Sequence, residues 1–227
     1  MAKTCHSCPQ LRSCLVGALD ERGRKIFSDA LQRYSVQGKG RALFNQGEPA
    51  DCCYFLCDGA VKFTRVLQAG HEVILDVRKA PAALGKAQTL KQPVHFQSIV
   101  TIAKSVSIGR VETKLLLDLL RDYPVLLQNA LNQLAGRLEI LYKMLACMKL
   151  RVRDRLLCMI ALTLSSSGED DVIVPLSNIE LAQLAQTTPE TISRTIRQLH
   201  AESKLDIGRG TLKIKKQILQ KALDQLC

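Results

Sequence analysis

Three cysteines lie within the first fourteen residues, at Cys5, Cys8 and Cys14, with the spacing C-x2-C-x5-C. Cysteine thiolates bind soft metal ions and iron–sulfur clusters, and short spacings allow one loop to place several sulfur atoms around a single centre. This segment therefore predicts a metal or cluster site. It precedes the parts of the chain that are typical of a folded domain, so those parts must indicate what the site would control.

Five of the other cysteines lack a diagnostic spacing. Cys52, Cys53 and Cys57 lie in the alternating stretch DCCYFLCDG, while Cys147 and Cys158 fall in helical patterns. Buried free cysteine is common in protein cores, so we expect these five to be core residues in preference to metal ligands.

The bulk properties indicate a soluble protein of two domains. The chain has 227 residues, of which 47% are hydrophobic and 23% charged, and its polar start and lack of long apolar runs predict a cytoplasmic protein without a membrane span. Its formal net charge of +11 suggests a polyanionic partner. From Arg151 onward, eleven Lys and Arg face nine Asp and Glu, so most of the excess lies in the first 150 residues.

The periodicity changes along the chain and predicts an α+β protein. After an N-terminal cysteine segment (residues 1–26), short β-like runs separated by glycines predict an antiparallel β-barrel or jelly roll over residues 27–111. A dimerisation helix is expected over 112–150 and a DNA-binding domain over 151–227. Within 124–148 the apolar residues recur in steps of four and three, which predicts a coiled-coil seam that makes a homodimer; its members are Leu127, Leu131, Leu134, Leu138, Leu141, Leu145 and Met148.

A helix-turn-helix is predicted from Asn178 to Ala201. Ser177 and Glu180 have capping-box spacing, Gln186 to Thr188 form a turn, and Pro189 suits the first turn of a second helix. The second helix of such a motif lies in the major groove of double-stranded DNA. Its exposed face is expected to carry base-contacting side chains, and a following hairpin, the wing, is expected to carry phosphate-contacting ones; these are Glu190, Thr191, Ser193, Arg194 and Arg197 on the helix, and Arg209 and Lys213 on the wing.

The order of jelly roll, long helix and winged helix-turn-helix, together with PETISR on the reading helix, resembles the CRP/FNR family of bacterial transcription regulators. The pattern of Glu190, Ser193 and Arg194 is similar to the base-reading triplet of the FNR branch, which implies a palindromic site with TTGAT-like half-sites and RNA polymerase as a partner. The N-terminal cysteines are similar to that branch's iron–sulfur motif. The resemblance therefore implies that Cys5, Cys8 and Cys14 hold a [4Fe–4S] cluster that responds to oxygen or nitric oxide.

The sequence departs from the family at two positions. The fourth cluster cysteine of the family aligns with Ile108, and no cysteine lies near it. Cys147, Cys52, Cys53, Cys57, an acidic side chain or a small molecule are the candidates for that ligand. The family's cyclic-nucleotide contacts align with Lys86 and Gln97, which replace an acidic residue and an arginine, so cyclic AMP sensing is disfavoured.

Three alternatives keep the DNA-binding role and change the signal. The cysteines could form a thiol–disulfide switch, or bind zinc together with His6, although adjacent ligands at positions 5 and 6 are geometrically awkward. The jelly roll could instead bind a small effector. We do not expect an enzyme, because the sequence has no nucleophile motif and no phosphate-binding glycine loop.

Overall fold

The structure is a computed structural model that describes residues 5, 7–68, 70–85, 94–165, 170–208 and 211–226. The chain divides into two compact units. The first unit comprises Met1–Val61 and Lys79–Arg137, and the second comprises Lys62–Arg78 and Leu138–Cys227. Within the described ranges, no helix has the length and apolarity that crossing a membrane requires.

The described part of the N-terminal cysteine segment packs into the core of the first unit. Two short 3-10 turns, Leu11–Ser13 and Leu15–Ala18, are followed by helix α1, Glu21–Ala30. Asp20 caps α1 by accepting a hydrogen bond from the Gly23 N–H at 2.7 Å. Phe27, the first residue of the predicted jelly-roll domain, lies in α1 with its ring edge-on to that of Phe55, 5.0 Å between centroids.

In the described part of this region, eight strands form two four-stranded sheets with the orders β1-β8-β3-β6 and β2-β7-β4-β5. The predicted jelly roll is confirmed, as open sheets and not as a closed barrel. The strands are β1 Gln32–Gln37, β2 Ala42–Phe44, β3 Cys52–Asp58, β4 Ala60–Val66, β5 Glu72–Lys79, β6 Ala82–Leu84, β7 Ser98–Thr101 and β8 Ser105–Glu112.

The expected helix over 112–150 is two helices, α2 Thr113–Asp122 and α3 Pro124–Cys147. The break falls at Tyr123 because the residue before a proline is driven out of the helical region, and Tyr123 has ψ 88°. Along α3, one face packs against its own chain through Leu126 and Ala130. The predicted seam lies on another face and is largely solvent-exposed, with Leu131 53% and Leu145 68% exposed.

The C-terminal part of the chain forms the predicted winged helix-turn-helix. The helices are α4 Val152–Leu164, α5 Asn178–Leu184, α6 Pro189–Ala201 and α7 Lys216–Leu223. A three-stranded sheet of order β10-β11-β9 makes the wing, from β9 Asp171–Val174, β10 Leu205–Gly208 and β11 Thr211–Lys215. The capping box of Ser177 and Glu180 is confirmed, and α6 begins and ends where the sequence predicts.

Candidate functional site

Four cysteines line one cavity of about 550 Å³ in the first unit. Cys5, Cys8 and Cys14 come from the N-terminal cysteine segment, and Cys57 comes from the end of β3. The segment curls around the cavity because consecutive backbone hydrogen bonds, Cys8 N to Cys5 O (3.3 Å) and Cys14 N to Leu11 O (3.0 Å), tighten it into turns. The volume lies within the range of about 300–1,000 Å³ that is typical of small-ligand pockets.

Tight packing holds this segment in place. A side chain at Gly17 would place a Cβ only 2.1 Å from the carbonyl oxygen of Leu11, so glycine is required there. Leu15 and Val16 are almost fully buried in the core. The Asn129 amide on α3 donates a hydrogen bond of 2.6 Å to the carbonyl oxygen of Leu15. The cysteine turns therefore rest directly on the first half of α3.

Arg33 supplies positive charge at the site. Its guanidinium donates a hydrogen bond to the Cys5 sulfur at 3.0 Å. Burial raises the pKa of the Cys14 thiol. Burial also raises the pKa of Cys57 to about 11, with the Arg33 charge acting in the opposite direction and the other three thiols adding to the rise. Metal binding at these thiols must therefore release protons.

The arrangement is a shared cavity and not a closed metal site. Among the described residues, no three His, Cys, Asp or Glu side chains lie close enough together to hold a metal ion as they stand. The donor set nonetheless fits an iron–sulfur cluster, since four thiols and a guanidinium face one space. His6, the further zinc ligand considered above, lies outside the described residues.

The other cysteines proposed as a fourth ligand lie elsewhere. Cys52 is buried in β3 and hydrogen-bonds to Arg110, whose pKa this contact raises. Cys53 is buried opposite Val111 in the core. Cys147 belongs to the second unit, where it hydrogen-bonds to Cys158.

The reading helix α6 presents the predicted face to solvent. Glu190, Arg194 and Arg197 are exposed, whereas Ser193 is half-buried and accepts a hydrogen bond from the Asn178 amide at 3.0 Å. A hydrogen bond from its own backbone N–H and one from Thr188 lower the pKa of Glu190. This carboxylate is therefore an acceptor at neutral pH, the role that a cytosine amino group requires.

Beneath these exposed residues, α6 buries Ile192, Ile196 and Leu199, as the periodicity predicts. Thr191 is half-buried, and its backbone N–H donates a hydrogen bond of 3.3 Å to the capping hydroxyl of Thr188. Thr191 therefore takes part in the N-terminal cap of α6, at the end of the helix that is expected to contact the bases.

The wing carries one described basic side chain of the predicted pair. Lys213 on β11 is exposed and pairs with Asp171 at 2.9 Å, and this contact raises the pKa of its amine. Arg209 lies outside the described residues.

In the second unit, Lys62 on β4 pairs with Glu180 of α5 at 2.9 Å. Burial raises the pKa of Glu180, but the hydrogen bonds from Lys62 and from the Ser177 cap outweigh it, so the net direction is downward. The Gln183 amide of α5 also donates to the Glu72 carbonyl oxygen at 3.1 Å. Sequence reasoning missed Lys62, Arg33 and Asn129, because each acts across a long stretch of chain that no local pattern signals.

The region aligned with the cyclic-nucleotide contacts is only partly described, since Lys86 lies outside the described residues. His95 is buried, with its ring stacked on Phe44 at 3.6 Å between centroids, and burial lowers its pKa. Gln97 is buried as well. His95 therefore serves as a neutral packing residue beside the jelly-roll core.

Comparison with known proteins identifies both parts of the chain. Residues 37–123 match the cyclic nucleotide-binding domain family, and residues 151–217 match the Crp-like helix-turn-helix domain family. The cyclic AMP receptor protein of Thermus thermophilus is 26% identical over 184 residues, which cover 80% of this chain and 83% of that protein. The probable transcriptional regulator flp of Lacticaseibacillus casei is 28% identical over 203 residues, or 88% of this chain and 90% of that protein.

Among solved structures, FixK2 from Bradyrhizobium japonicum superposes with a TM-score of 0.71 at 20% identity, covering 85% of this chain and 96% of that one. This likeness establishes the fold. The two matched domain families, in this order along one chain, identify the protein as a DNA-binding transcription regulator of the CRP/FNR family.

Proposed function

We propose that this regulator is a redox sensor, in which Cys5, Cys8 and Cys14 hold a [4Fe–4S] cluster that controls DNA binding by a homodimer. A cluster of this kind supplies chemistry that oxygen and nitric oxide disrupt. The observation that carries the proposal is the position of the cysteine turns on α3, through the hydrogen bond from Asn129 to Leu15.

The second element of the proposal is the dimer. The seam of α3 exposes apolar side chains in a heptad repeat, and a row of exposed leucines on a long helix is typical of an interface. The exposed members are Leu127, Leu131, Leu138, Leu141 and Leu145. Because residues on the same helix contact the cysteine turns, a change in the turns is passed along α3 to the seam. The dimer then shifts between two arrangements, as a population shift requires.

The third element is the DNA site. A two-fold dimer places two copies of α6 on two half-sites, so the site is palindromic. Arg194 donates to the O6 and N7 atoms of a guanine, Glu190 accepts from a cytosine amino group, and Ser193 reaches the adjacent base. These contacts support a TTGAT-like half-site, and Lys213 with Arg209 supplies phosphate contacts that are independent of sequence. RNA polymerase is the expected partner at a promoter.

The experiment is anaerobic purification followed by iron and sulfide assay, with DNA binding measured before and after exposure to air or nitric oxide. The proposal expects iron and sulfide in the anaerobic protein, and a loss of affinity for the palindrome as they are lost. Colourless anaerobic protein without iron or sulfide would refute the cluster. If that metal-free protein still changed its affinity on forming a disulfide, the thiol switch would replace it, and a response only to a small molecule would favour an effector.

A further inference from the structure

We propose that Cys57 is the fourth ligand of the cluster, so that the ligand set is Cys5, Cys8, Cys14 and Cys57. This inference rests on the proposed function and assigns the position that the sequence leaves open. The fourth sulfur would come from strand β3, which pairs with β8, the strand that contains the aligned position Ile108.

A β-bulge sets the direction of Cys57. In the β3 and β8 pairing, Leu56 lies opposite Ile108 and Asp58 lies opposite Ser107, so Cys57 is the extra residue between two register positions. Bulges of this kind bend a strand and re-aim one side chain. The half-buried Cys57 thiol packs against the same core cluster as the N-terminal cysteine segment.

The aligned position on β8 is turned away from the site. Ile108 is fully buried opposite Leu56, whereas its neighbour Ser107 lines the cysteine cavity. A Cβ at Gly109 would come within 2.8 Å of the side chain of Leu31, which lines the same cavity. A ligand at Ile108 would therefore lie on the wrong face of the strand. Cys57 is on the neighbouring strand with its sulfur on the correct face.

The rival cysteines lack this placement. Cys53 shares a face with Cys57 but lies four residues back along β3, beyond the Phe55 side chain that packs on Phe27. Cys52 alternates to the other face and lines a different cavity with Asp29 and Gln32. The cysteine cavity is lined by Cys57 and by neither of these two.

Ligation by Cys57 needs no oxidant. The thiol gives its proton to solvent, and its sulfur donates an electron pair to one iron, while the oxidation state of cysteine is unchanged. Three ligands then come from the N-terminal cysteine segment, and one comes from a sheet. The cluster would therefore tie the N-terminal cysteine segment to β3.

The test compares full-length wild type, Cys57→Ala and Cys53→Ala after anaerobic reconstitution with iron and sulfide. Iron and sulfide are counted, and the oxidised and reduced forms are recorded by absorption and electron paramagnetic resonance. Wild type is expected to hold about four irons per protomer. Cys57→Ala is expected to lose a quarter or more of the iron and to show a three-iron signal or no cluster, whereas Cys53→Ala keeps the wild-type content and spectrum.

A wild-type cluster that persists unchanged in Cys57→Ala would overturn the ligand assignment and leave the proposed function intact. Wild type without iron and sulfide would overturn both. A second measurement uses wild type alone and so does not depend on the folding of a variant. Alkylation followed by peptide mass analysis should find Cys57 protected in reconstituted protein, together with Cys5, Cys8 and Cys14, and modified once the iron is chelated. Equal alkylation of Cys57 in the two states would also overturn the assignment.

Discussion

Replacing two seam leucines by alanine, Leu131→Ala with Leu138→Ala, should separate the dimer without unfolding the chain. The two side chains are 53% and 49% exposed in the single chain. Burying a whole leucine side chain contributes about 1.5–3 kcal/mol, so covering the exposed half in a dimer contributes about 1 kcal/mol.

The two-fold symmetry of a homodimer doubles each substitution. The double variant therefore removes four leucines from the interface and costs about 4 kcal/mol at about 1 kcal/mol for each. At about 1.4 kcal/mol per tenfold change, dimerisation should weaken by roughly 1,000-fold.

Analytical ultracentrifugation across a dilution series gives the dissociation constant directly. The matched control is Lys143→Ala, since the heptad repeat places Lys143 on the side of α3 away from the seam, where its amine pairs with Glu139 at 2.6 Å. Circular dichroism should show the same helix content in all three proteins. A double variant that dimerises as tightly as Lys143→Ala would refute the assignment of the interface to this face.

Three further perturbations address the DNA-binding part. Arg194→Ala should weaken binding to the palindrome by about 1–3 kcal/mol and abolish the preference for guanine at one position, as measured by binding to a panel of single-base variants. Lys213→Ala should weaken binding to all sequences alike and reduce the slope of log binding constant against log salt concentration by about 1. A changed base preference would contradict the phosphate contact. Glu202 accepts hydrogen bonds from Arg153, which lower its pKa to about 2. A lowered pKa stabilises the folded state above the unfolded value of 4.5, and this stabilisation is lost as the pH falls from 4.5 toward 2. Acid titrations of stability should therefore show a shallower loss in that window for Glu202→Gln, and identical slopes would refute the contribution of this pair.

The sequence predicted the C-terminal part of the fold closely because its signals are local. Each of the two helices begins at a short local pattern. Helix α5 begins directly after Ser177, whose capping box uses Glu180, and α6 begins at Pro189, directly after Thr188. Helix α1 was missed although Asp20 is a capping residue, because Ile26 and Phe27 are the only large apolar residues in it and two residues are too few to show a helical repeat. The break at Tyr123 follows from Pro124 and was readable in principle.

The cysteine site was predictable only in part. The spacing of Cys5, Cys8 and Cys14 identified three candidate ligands, since all three lie in one short segment. The position of Cys57 depends on a bulge that appears only when β3 pairs with β8, about fifty residues away in the sequence. Arg33 meets Cys5 across 28 residues by the same kind of long-range pairing. Sequence periodicity carries no information about such contacts, so these residues required the structure.

The energetics of the α3 contact limit how the proposed signal reaches the dimer. Shifting a two-state equilibrium from 1:99 to 99:1 requires that the cluster stabilise one dimer arrangement over the other by about 5.5 kcal/mol. The single hydrogen bond from Asn129 to Leu15 contributes about 1 kcal/mol, and two protomers supply about twice that. The rest must come from apolar packing between the N-terminal cysteine segment and α3, in which Leu15, Val16 and Leu126 are almost fully buried. Coupling between binding equilibria is reciprocal. If cluster assembly strengthens the dimer through this packing, dimerisation strengthens cluster binding by the same factor, and the seam leucines contribute to retention of the cluster without touching it.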